Sequence, residues 1–187
     1  MSWLREEHSA LAVQNILDAA TRLFVDRGVS AVGMADVAKA AGCSRQTLYR
    51  YFESRQALHL AFGHREAVRL VTWVSDEVKP IDDPADRVVA IIVALLREVR
   101  TTDYLSAWFG SGEPALAEIA NSSPMIEALA LTLFAADSPS ERAIQLTRWC
   151  IRVTLSLLIT PGVDEADERS LLEQFIAPLV QTGAPAR

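Results

Sequence analysis

Gly42 is the residue that most restricts how this chain folds, because of what stands on either side of it. Before it, Met34 to Ala41 is alanine-rich and places Val37, Ala38 and Ala41 on one face at helical spacing. A glycine closing such a run supplies the left-handed backbone that stops a helix. After it, Ser44 offers a hydroxyl to an orphan amide of a second helix, expected over Arg45 to Phe52. The small Ala38 leaves room for the two helices to approach closely. Two short helices around a tight glycine-containing turn make a helix-turn-helix unit.

The second helix carries two differently equipped faces. Leu48 and Phe52 stand four apart and point inward, while Arg45, Gln46, Thr47, Tyr49, Arg50 and Tyr51 fill the remaining arc without a single acid. In such a unit the first residues of the second helix meet base edges in the major groove. Arg45 suits bidentate pairing with guanine and Gln46 with adenine. Thr47, Tyr51 and Arg55 are placed to hold phosphates, which fix position without reading sequence. Ser44 and Lys39 complete the candidate DNA-facing set.

The run AKAAGCSRQTLYRYFESRQAL resembles the DNA-binding signature of the tetracycline-repressor (TetR) family of bacterial transcriptional regulators. The matching residues are Val37-Ala38, Ala41-Gly42, Ser44, Thr47-Leu48-Tyr49, Phe52, Arg55 and Leu58, and the likeness extends over about Leu11 to Phe62. It implies that Arg45, Gln46 and Tyr49 meet bases while Thr47, Tyr51 and Arg55 meet phosphates. Three positions depart from the pattern. Gly33 stands where the family usually has a capping Thr or Ser that touches a phosphate, Arg55 replaces Lys, and Cys43 replaces a small aliphatic residue.

The net charge of −6 looks unsuited to a DNA ligand until it is divided along the chain. Residues 1–69 hold nine Lys and Arg against seven Asp and Glu, whereas residues 70–187 hold nine against seventeen. Between Lys39 and Arg69 six basic residues face only Glu53 and Glu66. Local charge governs phosphate contact, and the acidic remainder repels DNA from the other faces. The two cysteines, Cys43 and Cys150, have neither metal-ligand spacing nor the number of a disulfide framework. The opening MSWLREEHSA lacks the apolar core of a signal peptide, and the longest apolar run, Val88 to Leu96, is too short to cross a bilayer. A cytoplasmic protein without membrane contact is expected.

Taken in order, residues 1–8 read as a loose lead-in rather than a minor-groove arm built on Trp3 and Arg5. Ser9 is expected to cap a helix to Arg27 with Leu11, Ile16, Ala20, Leu23 and Phe24 as its stripe, stopped by Gly28. Ser54 caps a long helix to Val78 with Leu58, Phe62, Val68, Val71 and Val74 on its core side. Its Gly63 is either a weak point for domain movement or a site of close packing. Asp83-Pro84 opens a buried helix, Asp103 to Phe109 forms a short one before Gly110 and Gly112, and Ser123-Pro124 starts another to Ala136. Ser138-Pro139-Ser140-Glu141 has an N1 proline and a capping box for a helix to Thr160. Asp164 caps the last helix, which Pro178 bends near Gln181.

The expected fold is therefore all-α: an N-terminal three-helix DNA-binding domain over residues 1–54 and a helical ligand-binding and dimerisation domain over 55–187. The last two long helices carry more apolar surface than one small domain buries, which favours a homodimer through them. A two-fold partner also places two recognition helices about one DNA turn, roughly 34–36 Å, apart. Trp73, Trp108, Phe109, Met125, Phe134 and Trp149, with Arg152 for an anionic head, are candidates to line a small hydrophobic ligand's pocket, although each aromatic taken singly reads as core. His8, His59 and His64 have no ligand spacing and read as surface or helix-flank residues. No catalytic constellation, metal site or cofactor pattern stands in the required context. The expected function is a ligand-responsive repressor on a palindromic double-stranded operator. The runner-up class is a helical interaction adaptor that has lost DNA binding, and an all-α enzyme comes third.

Overall fold

The computed structural model describes residues 2–110, 123–134 and 140–181, with side chains from residue 9 to residue 180 within those ranges. Every regular element among the described residues is a helix: α1 (Ser2–Arg27), α2 (Met34–Ala40), α3 (Arg45–Tyr51), α4 (Arg55–Val78), α5 (Pro84–Thr101), α6 (Asp103–Gly110), α7 (Pro124–Phe134), α8 (Glu141–Ile159), α9 (Glu165–Phe175) and α10 (Ala177–Gln181). Capping sets most of the starts. Ser54 Oγ accepts from the Ala57 amide at 3.0 Å, Asp83 Oδ1 accepts from Ala85 and Asp86 at 2.9 Å each, and Asp164 Oδ1 accepts from Asp167 at 2.8 Å.

The chain divides into two compact units. One takes Met1–Gly63 with Thr102–Leu116, the other His64–Thr101 with Ala117–Arg187. The sequence-based boundary after Ser54 thus differs from a division that falls inside α4, at the buried Gly63, and that draws α6 into the first unit.

In the first unit α1 packs on α2 and α6, and α2 packs on α3. Ile16, Leu17, Ala20, Leu23 and Phe24 of α1 are buried, as are Val37, Leu48, Phe52, Leu58 and Phe62. Trp108 of α6 is fully buried here. Its indole stacks on Phe62 (centroids 4.6 Å apart, 5° between planes) and meets Phe24 and His59 edge-on at 5.0 and 4.8 Å. His59 is therefore not a surface residue: α4 places it one turn from Phe62, on the face turned to this aromatic cluster.

In the second unit α5 is the axis, with α8, α9 and α10 packed against it and α7 against α8. Its apolar circumference serves two clusters. Val88, Val89, Ile92, Val93 and Leu96 pack with Cys150, Leu172 and Ile176, while Ile91 and Ala94 pack with Val74 and Val78 of α4. Each Val, Leu or Ile among them contributes about 1.5–3 kcal/mol by leaving water. Burial pushes the Cys150 thiol up to about 12, which leaves it an inert packing group.

Several sequence-based expectations are corrected. α1 begins at Ser2, so Ser9 lies inside it; nothing from Ser2 to Arg27 is Gly or Pro, and the helix has no reason to stop. Leu11 and Val68, assigned to core stripes, are exposed. Ser140, not Pro139, sets the start of α8: Ser140 is the N-cap and its Oγ accepts from Ala143 at 3.2 Å. The last helix breaks rather than bends. α9 ends at Phe175, with the Ile176 amide bonded back to Leu172 O at 2.8 Å, and α10 starts at Ala177. Pro178 has no amide to continue the ladder, and its ring disfavours helical backbone just before it. The side chains of Trp3 and Arg5, the stop at Gly112, the stretch to Ala136 and Pro139 lie outside the described residues.

Candidate nucleic-acid interface

The turn between α2 and α3 is built by backbone bonds alone. Gly42 adopts φ +68°, the Cys43 amide donates to Ala38 O at 3.0 Å and the Gly42 amide to Lys39 O at 3.2 Å. This pair closes the last turn of α2 in a Schellman motif. Two residues later Ser44 Oγ accepts from the Thr47 amide at 3.0 Å, starting α3. The connection has no slack, so α3 is held at a fixed angle to α2. Cys43, in this turn, is half-buried and a free thiol.

α3 anchors itself by Leu48, which is fully buried, and by Phe52 at its C-cap. Its other face is open: Arg45, Gln46, Tyr49 and Arg50 are exposed, as are Ser44 and Lys39. The Arg50 guanidinium lies 5.2 Å from the centroid of the half-buried Tyr51 ring. Thr47 Oγ1 lies 2.9 Å from Ser44 Oγ, so both hydroxyls meet at the cap. Arg55, the other expected phosphate ligand, turns inward: its Nη2 donates to Val29 O at 2.8 Å and to Ser30 O at 3.4 Å. That contact spans 26 positions of sequence, and spacing gives no sign of it.

Gly33 is the N-cap of α2 with no side chain to give. Asp36 serves in its place: Oδ2 accepts from the Gly33 amide at 3.0 Å, and Oδ1 pairs with Arg27 Nη1 at 3.4 Å. A Cβ at Gly33 meets Asp36 Oδ2 at 3.4 Å, an ordinary contact, and the backbone φ of −98° suits any residue. Gly33→Ser is therefore expected to stabilise the protein by about 0.5–1 kcal/mol through the cap and the stiffened unfolded chain. A thermal melt followed by far-ultraviolet dichroism should show a rise of about 1–4 °C; a fall would mean that the hydroxyl displaces Asp36.

The expected ligand residues do not gather at one place. Trp73 and Phe134 pack on the same cluster of α4 and α5 residues, together with Leu133. Trp108 belongs to the core of the first unit, and Phe109 beside it is half-buried. Met125, Trp149 and Arg152 are exposed. Three polar contacts of the second unit were missed by the sequence reading. Arg148 grips Glu127 with two bonds of 2.8 and 2.9 Å, and His64 Nε2 lies 2.8 Å from Ser123 Oγ. Arg100 grips Glu168 with two bonds of 2.7 Å. Among the described residues no cluster of three or more His, Cys, Asp or Glu is placed to hold a metal ion, and no helix is long and apolar enough to cross a membrane.

A locked helix-turn-helix with an acid-free outer face, joined to a second unit of packed helices, defines a helix-turn-helix transcriptional regulator. Residues 16–62 match the model of the bacterial regulatory proteins of the tetR family. An HTH-type transcriptional regulator of Mycobacterium tuberculosis is 42% identical, with 98% of this chain and 93% of that protein covered. The TetR family repressor AlkX from Dietzia, implicated in biodegradation of n-alkanes, is 26% identical, with a TM-score of 0.71 over 91% of this chain and 95% of that one. RolR, solved in complex with resorcinol, shares the fold at 18% identity with a TM-score of 0.68, covering 97% of each chain. The chain belongs to the TetR family of transcriptional regulators, and it is a DNA-binding regulator rather than an enzyme.

Proposed function

We propose that this chain is a ligand-responsive repressor that binds a palindromic operator as a homodimer in the cytoplasm. Residues 1–54 would meet DNA, and residues 55–187 would carry the ligand and the dimer contact. The observation that carries the reading is the open face of α3. Arg45 and Gln46 stand exposed at its first two positions, where a helix in the major groove meets base edges. Arg45 reads a guanine and Gln46 an adjacent adenine, with Tyr49 beside them. Thr47, Arg50, Tyr51, Ser44 and Lys39 hold the backbone.

The homodimer reading is supported by apolar side chains left exposed on the last helices: Trp149 and Ile159 of α8, Leu171 and Phe175 of α9, and Leu179 of α10. Exposed apolar side chains of this kind leave water when two copies pair about a two-fold axis. The ligand is a small apolar molecule held by residues of the second unit, Trp73 and Phe134 first among them. The likeness to AlkX, implicated in n-alkane biodegradation, agrees with that chemistry. It acts by binding more tightly to one of two spacings of the recognition helices.

The test is selection of a duplex from a random pool, followed by Arg45→Ala. The enriched duplex is expected to be palindromic and to carry two chains by sedimentation. The variant should lose about 1–3 kcal/mol at one symmetric base position and become indifferent to the base there. An enriched duplex bound equally well by the variant would remove α3 as the reading element.

A further inference from the structure

We infer that Arg55 is a positioning residue: it braces the turn between α1 and α2 and so sets the helix-turn-helix, instead of serving as a phosphate ligand. The inference rests on the DNA-reading role proposed for α3. The turn it grips follows the C-terminal end of α1, where Gly28 takes φ +77° and its amide bonds back to Phe24 O at 3.0 Å. Val29 and Ser30 lie past that end, so their carbonyls have no place in the helical ladder and need partners from elsewhere. Val29 O accepts from the Val32 amide at 3.3 Å and from Arg55 Nη2 at 2.8 Å, and Ser30 O lies 3.4 Å from the same nitrogen. Val29 and Val32 are themselves buried, so the turn is keyed into the core on its inner side.

Arg55 is also the first residue of α4, where the helix dipole disfavours a cation. Its contact with the two turn carbonyls offsets that cost, and with it α4 and α1 hold the turn from both sides. At the far end of the same turn Asp36 takes the Gly33 amide and pairs with Arg27. The segment that leads into α2 is thus fastened at Val29 and Ser30 by α4, and at Gly33 by α2 and α1. Because the link from α2 to α3 has no slack, movement at the first fastening is passed to the recognition helix. Both carbonyls are reached by one nitrogen, Nη2, which stands one bond further from Cα than a lysine Nζ, so a lysine keeps the charge and reaches the turn less well.

The experiment compares the full-length wild type, Arg55→Ala and Arg55→Lys, well below their melting temperatures, on the duplex that the wild type enriches from a random pool. Binding is measured across a sodium chloride series, and amide hydrogen exchange is followed at residues 29–33. For Arg55→Ala the expected result is a loss of affinity of about three- to tenfold, as the competent fraction falls. The dependence of log K on log salt keeps its slope, exchange at 29–33 accelerates, and Arg55→Lys lies between the two. A slope reduced by about 0.9 with unchanged exchange makes Arg55 a phosphate ligand and overturns the inference. Faster exchange with unchanged affinity reduces it to a structural contact and also overturns it. Should the pool yield no enriched duplex, the DNA-reading role fails with it, and the inference that depends on that role falls too, whatever the exchange data show.

Discussion

Trp108→Ala is expected to remove about 3–5 kcal/mol from the stability of the first unit, the range for emptying a buried indole site. The physical reason lies in what the indole touches. It is fully buried, stacked face-on over Phe62 and edge-on to Phe24, with His59 packed at 4.8 Å. Truncation removes the largest fully buried side chain among the described residues and leaves three rings facing a void that α1 and α4 cannot close without moving. A domain of ordinary stability has only about 5–15 kcal/mol in all, so the first unit becomes marginal. Its melting transition should fall by about 12 °C or more. Hydrogen exchange read peptide by peptide checks the location: α1 and residues 55–63 of α4 exchange faster, while α8 and α9 do not. Trp108→Phe keeps a ring on Phe62 and should recover part of the loss. Unchanged exchange in α1 would mean that the cluster does not hold this unit together.

The same residue marks the limit of what the sequence discloses. Trp108 has the composition of a ligand-site aromatic and lies in a stretch assigned to the second domain, yet α6 sets it in the first unit. No local pattern announces this, because the partners Phe24 and Phe62 are 84 and 46 positions away. The helix-turn-helix was legible for the opposite reason. Gly42, Ser44, Leu48 and Phe52 act on neighbours within a turn or two, and cap and stop chemistry is written where it operates. Arg55 shows both sides at once: its place at the start of α4 was readable, but its partner carbonyls at Val29 and Ser30 were not. Charge in a polar pattern is equally mute. Glu165, Glu168 and Glu173 look alike along α9, and only Glu168 is buried. The one available hint was Gly162, a small residue one turn ahead of the helix that carries it.

That hint explains the second large effect, expected of Glu168→Gln. A Cβ at Gly162 would stand 2.7 Å from Glu168 Cγ, so the glycine is what admits the carboxylate. There Oε1 accepts from the Gly162 amide at 2.8 Å, and both oxygens accept from Arg100 at 2.7 Å, while Arg100 also donates to Leu157 O at 2.9 Å. The pair ties the end of α5 to the end of α8 and the start of α9, the helices that carry the proposed dimer face. Glutamine keeps the shape and leaves the guanidinium without its counter-charge. The expected cost is about 3 kcal/mol, the low end for a broken buried pair, because Arg100 retains solvent contact. The melting point should fall by about 6–12 °C. Adding Arg100→Met removes the stranded cation and should restore part of it. The pH dependence has a definite sign. Bonds from Arg100, helped by the Gly162 amide, hold the Glu168 carboxyl below the usual glutamate range, and Glu168 raises the Arg100 guanidinium above its own. A lowered acid contributes stability that is present above its unfolded pKa, about 4.3, and lost as pH falls through the folded one. Arg100 stays charged throughout that window. The gap between wild type and Glu168→Gln, measured by urea unfolding, should therefore be constant near neutrality and shrink toward zero in acid. A gap that persists there would assign the loss to packing rather than to charge.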